Sequence, residues 1–322
     1  MKKFLSCDWG TSSFRLKLVE TPSLTIIEEQ KSEQGIMPIY KLWKQSGKPE
    51  EDRLTFYLDV IRQHIKLLKN KANVSLNELP LIISGMASSS IGIMELPYKE
   101  FPFSADGSDL TIDVIEAIHD YPKVVIISGA KTTDDAMRGE ETQLAGCFQD
   151  DAIQGEQIFI FPGTHSKHII VKATKAIKFK TYMTGEFFEL LSKKSILFDS
   201  VEEGTGLQDV ENRKAFEKGV NDIHLDLLHS SFLVRTNHLF NKLTKKENYY
   251  YLSGLLIGTE IKEIINQEYA KITLVSNARL TPYYETAVNI LNKDKSILEI
   301  KNADEAVVRG QYKILTRLVE NN

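Results

Sequence analysis

Apolar positions along the chain switch between two periods. Lys3 to Asp8 form a short, mostly apolar run, Gly10-Thr11-Ser12-Ser13 interrupts it, and Phe14, Leu16 and Leu18 then alternate with Arg15 and Lys17. The period of two predicts a half-exposed strand returning beside a buried one, a hairpin with a polar tip. Leu24 to Ile27 extends the sheet until Gln34-Gly35 breaks it. Beyond that break the period lengthens: Leu54, Tyr57, Leu58, Ile61, Ile65 and Leu68 recur at three and four, the mark of an amphipathic helix packed on a sheet. Leu81 to Ile83 and Val124 to Ile127 are short apolar runs that each end in Ser-Gly, as expected of central strands whose C-terminal ends open on a crevice.

The second half repeats the scheme. Gln157 to Phe161 reads as a strand, Pro162 to Lys167 as a turn and His168 to Lys172 as its return. The two tips, Gly10-Thr11-Ser12-Ser13 and Gly163-Thr164-His165-Ser166, share the pattern G-T-x-S, which indicates an internal duplication. A helix over 250–267 with Gly254 and Gly258 four apart, a strand at 272–275, a helix after Thr281-Pro282, a strand at 297–300 and a last helix from Ala303 complete the α/β alternation.

Length agrees with a duplication, since 322 residues at roughly 150 per domain suggest about two domains. The boundary is expected near 150–156. Hydrophobic content of 42% and charged content of 26%, with 18 Gly and 9 Pro, exclude a disordered or collagen-like chain. Forty Lys+Arg against 44 Asp+Glu leave a net charge of -4 and no broad basic field, so no nucleic-acid partner is expected and an anionic ligand must be held locally. No apolar run approaches the roughly 20 residues of a membrane span, and Met1-Lys2-Lys3 runs almost at once into Cys7-Asp8, unlike a signal peptide. The expectation is a cytoplasmic protein without a membrane partner, with a homodimer left open. Cys7 and Cys147 have no CxxC partner and are expected as small buried hydrophobes.

The tips carry the candidate chemistry. A Gly-Thr-x-Ser turn offers backbone donors and hydroxyls that suit phosphate oxygens without a Lys/Arg cluster, although each tip taken alone is also an ordinary hairpin turn. Asp8 stands two residues before the first Gly, where the second half has Phe161. A carboxylate beside bound phosphates calls for a divalent cation, which makes Asp8 a candidate Mg²⁺ anchor, through water. Residues 134–146 gather Asp134, Asp135, Glu140, Glu141 and Arg138 after a buried strand and at a helix start. Plain capping is the reading for Asp134-Asp135. Glu140 or Glu141 suits the general base that phosphoryl transfer needs, and Arg138 either binds an anion or pairs internally with a glutamate. Gly85 to Gly92, including Met86, Ala87 and Ser88, is small and hydroxylated and reads as a polyol-facing loop. Thr184 before Glu186 is a helix cap or a ligand contact, and His165 and Lys167 lie within reach of phosphate or are solvated loop side chains.

Taken in order over nearly the whole chain, Asp8-Trp9-Gly10-Thr11-Ser12, Gly85-Met86, Met137-Arg138-Gly139-Glu140-Glu141-Thr142-Gln143-Leu144, Pro162-Gly163-Thr164-His165-Ser166-Lys167, Met183-Thr184-Gly185-Glu186 and Leu252 to Gly258 resemble the 2-dehydro-3-deoxygalactonokinase family. The M-R-G-E-E-T-Q-L and P-G-T-H-S-K strings are the specific ones; D-W-G-T-S alone indicates only the wider superfamily of sugar kinases, heat-shock proteins and actin. The resemblance implies two ribonuclease-H-like (actin-like ATPase) domains around a central cleft, at 1–153 and 154–302, with the helix of 303–322 packing back on the first. It implies MgATP as donor and the C6 hydroxyl of 2-dehydro-3-deoxy-D-galactonate as acceptor, in galactonate breakdown. Site residues follow from it: Asp8 for Mg²⁺, Glu140 or Glu141 as base, Gly10, Thr11, Ser12, Gly163, Thr164, His165, Ser166 and Lys167 for phosphates. Gly254, Ser276, Asn277 and Ala278 are implied for the nucleoside, and Gly35, Met86, Ala87, Ser88, Arg138, Thr184 and Glu186 for the sugar acid. The nucleoside turn of that superfamily is usually glycine-rich. Here 274–280 has no glycine, and Asn277 is expected to supply the tolerance of positive φ. Alternatives are a kinase for another 2-keto-3-deoxy acid, or a nucleotide- or sugar-acid-binding regulator without catalysis.

Overall fold

The computed structural model describes every residue except 73–75, 77–78, 118–120, 151–152, 294–295 and 321–322, so part of the expected boundary at 150–156 lies outside the described residues. The chain forms two compact units, one of Met1–Asp151, Thr174–Lys178 and Ala303–Asn322, the other of Ala152–Ala173 and Phe179–Asn302.

The first unit runs β1 (Lys3–Trp9), β2 (Phe14–Glu20), β3 (Thr25–Ser32), α1 (Ile36–Ser46), α2 (Arg53–Ala72), β4 (Leu81–Gly85), β5 (Lys99–Glu100), β6 (Phe103–Ser104), β7 (Ile112–Ile115), β8 (Val124–Ile127), β9 (Ala130–Lys131), β10 (Ala136–Met137) and α3 (Glu140–Cys147). The second has β11 (Glu156–Phe161), β12 (Ser166–Lys172), the later part of β13 (Lys175–Tyr182, whose first four residues count with the first unit), α4 (Thr184–Lys194), α5 (Val210–Asn221), α6 (Leu227–Leu239), α7 (Lys245–Ile261), α8 (Glu263–Asn266), β14 (Lys271–Ser276), α9 (Thr281–Asn292) and β15 (Ile297–Asn302). The chain then returns to the first unit as α10 (Ala303–Glu320).

The duplication is visible in the strand orders. The first sheet is β3-β2-β1-β4-β8 with β7 added at its edge, and the second carries β13-β12-β11-β14-β15, the same order with the same hairpin at its start. In each, the hairpin is antiparallel and the strand beside it is parallel. A strand with neighbours on both edges is buried, which is why Phe4 to Cys7 and Gln157 to Phe161 are so apolar. The three-and-four pattern of α2 buries Tyr57, Leu58, Ile61, Ile65 and Leu68 in one core with Leu5, Cys7, Trp9, Phe14 and Ile83. A second core gathers Ile158, Ile160, Leu252, Leu256, Ile272, Leu274 and Val288. Both cysteines are buried, and neither forms a disulfide among the described residues. No helix among the described residues is long and apolar enough to cross a membrane.

Several local expectations change. The second hairpin turn is shorter than 162–167, because β12 already begins at Ser166. The helix expected over 250–267 starts at Lys245, where Thr244 and Glu247 form a capping box, and gives way to α8 after Ile261. Asp134 and Asp135 cap no helix. Their amides take the Thr132 hydroxyl in the turn between β9 and β10, and α3 begins only at Glu140.

Candidate active site

Each hairpin tip is braced from behind by a helix start. In the first unit the amides of Ile36 and Met37 donate to the carbonyls of Gly10 (2.9 Å) and Thr11 (3.0 Å). Gly35 permits this approach, since a β-carbon there would stand 2.4 Å from the Thr11 carbonyl oxygen. Gly35, expected at the sugar acid, is therefore the tip's own support. In the second unit the Glu186 amide donates to the Thr164 carbonyl at 3.1 Å, and Gly185 lies so close that a β-carbon would stand 2.7 Å from the Gly163 carbonyl oxygen. With those carbonyls drawn back, the amides of Thr11, Ser12, Thr164 and His165 find no protein acceptor among the described residues. Thr11, Ser12, Thr164 and His165 are all exposed. These are the donors a phosphate would meet.

At the end of β1, Asp8 is partly buried and its Oδ2 accepts from Arg15 at 3.3 Å. Burial raises the carboxyl above its ordinary range, against the pull of the Arg15 and Lys17 charges. Gly85 keeps room beside the other oxygen: a β-carbon there would stand 3.5 Å from Asp8 Oδ1. Gly139 in turn packs on Gly85, which places the N-terminus of α3 beside the Asp8 strand end. Among the described residues no three His, Cys, Asp or Glu side chains group to hold a metal. One carboxylate still suits Mg²⁺, which uses one or two protein carboxylates and takes its remaining ligands from phosphate and water. The open side of Asp8 fits that donor set.

The paired glutamates separate at this helix start. Glu141 is fully buried and accepts the Gly139 amide on both oxygens, at 2.9 and 2.8 Å, and the Thr142 hydroxyl at 3.1 Å. Burial pushes its carboxyl up to about 8, and the neighbouring Glu140 charge adds to the rise. Glu141 is thus the group that satisfies the helix N-terminus, the role expected of Asp134-Asp135. Glu140, at the first helical position, is only partly buried.

Arg138 forms no ion pair with either glutamate. Its guanidinium lies 3.9 Å over the Tyr98 ring, Nη1 donates to Ser88 Oγ at 2.8 Å, and Nε is buried without a partner. Tyr98 carries no sequence motif, and only the fold brings it to Arg138. The expected polyol loop is partly closed: Ala87, Ser88 and Ser89 are buried, and the Ser89 hydroxyl turns back on the Met86 carbonyl at 2.7 Å. Of Met86, Ala87 and Ser88, Met86 is the one that keeps some exposure.

In the second unit a cavity of about 240 Å³ opens beside Gly163, lined by Thr184, Gly185, Phe188, Glu203, Tyr249, Ser253, Leu256, Ile257, Tyr283 and Asn277 to Leu280 apart from Ala278. Apolar and aromatic walls with few polar groups suit a flat heterocycle. A wider groove of about 620 Å³ shares this wall and runs past Pro162, Gly163 and Thr164. The expected residues divide here. Asn277 lines the cavity, whereas Ser276 is buried and Ala278 does not reach it. Gly254 belongs to a helix crossing, where a β-carbon would meet the Phe216 carbonyl oxygen at 2.1 Å; its neighbour Ser253 faces the cavity instead. No residue of 274–280 has positive φ, so this turn needs no glycine; Asn277 Oδ1 holds it by accepting the amides of Arg279 and Leu280, both at 3.0 Å. Arg279, Tyr249 and Tyr283 had no motif to mark them.

The remaining tip residues also part ways. Ser166 is fully buried and bonded to Tyr284, and Lys167 is buried with its Nζ on the His165 carbonyl at 2.9 Å, so neither is at the exposed tip. Thr184 is the first residue of α4 rather than its cap, which is Met183. Glu186 pairs with His165 at 2.5 Å.

Comparison with known proteins gives a consistent result. A family model described as 2-keto-3-deoxy-galactonokinase matches residues 8–314. The chain is 28% identical over 322 residues to the 2-dehydro-3-deoxygalactonokinase of Escherichia coli strain K12, covering 96% of this chain and 97% of that protein. A crystal structure from Sinorhizobium meliloti, described as a candidate 2-dehydro-3-deoxygalactonokinase, matches with a TM-score of 0.78 at 27% identity over 98% of this chain and 96% of the other. The activator of 2-hydroxyisocaproyl-CoA dehydratase from Clostridium difficile, solved with bound ADPNP, matches with a TM-score of 0.50 at 10% identity over 99% and 97% of the two chains, a likeness of fold alone. The fold is the twice-repeated ribonuclease-H-like arrangement of the actin-like ATPases.

Proposed function

The chain belongs to the 2-keto-3-deoxy-galactonokinase family, and from that premise we propose that it transfers the γ-phosphoryl group of ATP to the C6 hydroxyl of 2-dehydro-3-deoxy-D-galactonate. The enzyme is a phosphotransferase with an alcohol acceptor, and we place its reaction in galactonate breakdown in the cytoplasm. The observation that carries the reading is the meeting of Asp8 with the α3 N-terminus through the Gly85–Gly139 contact, which sets a candidate cation anchor and a candidate base on one floor.

In this mechanism the outward amides of Thr11, Ser12, Thr164 and His165 bind phosphate oxygens, and the cavity beside Gly163 takes the nucleoside between its aromatic and aliphatic walls. Mg²⁺ held at Asp8 would neutralise phosphate charge as it builds in the transition state. Glu140 is the base: it is partly exposed, whereas Glu141 is enclosed and already occupied by the Gly139 amide. A base must reach the hydroxyl whose proton it accepts, which favours the less enclosed of the two glutamates. Arg138, rigidly stacked on Tyr98, binds the substrate carboxylate through its planar fork.

An ADP-release assay over a panel of 2-keto-3-deoxy sugar acids tests this. The galactonate-derived acid is expected to give the highest kcat/KM, and product analysis should place the phosphate on C6. Preference for another acid would move the acceptor, and no acid-dependent ADP release would remove the kinase reading.

A further inference from the structure

Four buried polar side chains of the second unit form a chain that the mechanism above does not use. His168 Nε2 lies 3.0 Å from Glu260 Oε1, and Tyr284 donates its hydroxyl to Glu260 Oε2 at 2.6 Å. Ser166 Oγ stands 3.1 Å from the Tyr284 hydroxyl and accepts the Gly163 amide at 3.3 Å. All four residues are at most 4% exposed, and they come from β12, α7 and α9. Removing an imidazole and a carboxylate from water is costly, and apolar residues of the same size would fill this core at less cost. Their presence asks for a use beyond packing.

Counting protons gives the chain a direction. Tyr284 spends its one proton on Glu260, so its oxygen is left to accept from Ser166. Ser166 then donates to Tyr284 and offers its lone pair to the Gly163 amide. The Gly163 carbonyl also lies 3.4 Å from Ser166 Oγ, but the serine proton is committed to Tyr284. From the Gly163 amide through Ser166 and Tyr284, each bond therefore runs inward to Glu260, an arrangement in which successive hydrogen bonds polarise one another.

We propose that His168, Glu260, Tyr284 and Ser166 are positioning residues for the second tip: they fix the Gly163 amide inward and so hold the amides of Thr164 and His165 outward for nucleotide phosphate. The inference rests on the nucleotide reading of this unit. Tyr284 and Gly163 also line the cavity, so the chain joins the nucleoside wall to the phosphate tip.

The test is steady-state kinetics on the full chain with ATP and the sugar acid varied in turn. Tyr284→Phe keeps the ring and removes the link, and is expected to raise the KM for ATP about tenfold while the KM for the sugar acid stays near wild type. Glu260→Gln still offers an amide oxygen to Tyr284 and should give a smaller rise. Val288→Ala, which opens a cavity in the same core one turn along α9 from Tyr284 but removes no hydrogen bond of the chain, should lower Tm and leave the KM for ATP unchanged. Should Tyr284→Phe fail to fold, Ser166→Ala cuts the link at the tip and should reproduce the rise in KM for ATP. An ATP KM within about twofold of wild type in the folded link variant, or an equal rise in Val288→Ala, overturns the inference. Absence of any ATP dependence in the wild type overturns the nucleotide reading itself, and that outcome is visible before any variant is made.

Discussion

The two hairpin tips share their scaffold and differ in what lies beneath. Each sits on the first two strands of a sheet with the same order, each has a helix amide bonded to its threonine carbonyl, and each has a glycine where that helix begins. Two residues before the glycine of the first tip stands Asp8; two before that of the second stands the buried Phe161. The first tip closes on itself, with the Gly10 amide on the Ser13 carbonyl at 2.9 Å, whereas the Gly163 amide is tied to a buried side-chain network. A duplicated fold can present donors twice, but a cation anchor and a base are needed once.

The largest effect should come from Asp8, the proposed anchor. Asp8→Ala is expected to lower kcat by on the order of 10³-fold with the fold intact by circular dichroism, while Phe161→Leu at the matching position stays within a few-fold. Near-normal turnover of Asp8→Ala at saturating MgATP would erase the asymmetry between the tips. Next comes the proposed base: Glu140→Gln should lose about 10²–10⁴-fold in kcat. If Glu141→Gln loses as much and Glu140→Gln does not, the roles of the two glutamates are reversed. A third pair probes the shared scaffold. Gly35→Ala and Gly185→Ala each push a β-carbon into a tip carbonyl and should cost about 1–3 kcal/mol in urea unfolding. Gly185→Ala alone is expected to raise the KM for ATP.

The smallest effect concerns Glu141 and pH. Its carboxyl, at about 8 in the folded protein against an ordinary value of 4.5, keeps a proton that the unfolded chain has released over that interval. Its contribution to stability is therefore full below pH 4.5 and is lost as pH rises towards 8. Thermal melts of Glu141→Gln should show a shallower decline over this range than the wild type. Parallel curves would mean that Glu141 is ionised throughout.

Periodicity made much of the scaffold legible. The pattern in α2 required one buried face, and the apolar runs of β4, β8 and β14 required central strands. Helix α1 was missed because Ile36, Ile39 and Trp43 make a short buried stripe behind a glycine, and β13 because Lys175, Lys178 and Lys180 dilute its apolar positions. Helices α5 and α6 are not legible in the sequence; in α6 only Ser230, Val234 and Asn237 are buried, which leaves no apolar stripe to read. At the site, the G-T-x-S tips and Asp8 announced themselves by composition. Tyr98, Tyr249 and Arg279 did not, because their significance lies in which distant residues stand beside them.

By itself, the sequence determined the duplicated α/β plan, the two tips, the acid at the end of the first strand and the family, since these depend on local period and on contiguous strings. Only the tertiary structure decided that Glu141 is enclosed and Glu140 is not, that Gly35 and Gly254 are packing glycines, and that Ser166 faces a buried tyrosine. Those distinctions turn on burial and on partners tens to hundreds of residues away, and spacing along a chain carries no record of which side of a backbone meets water.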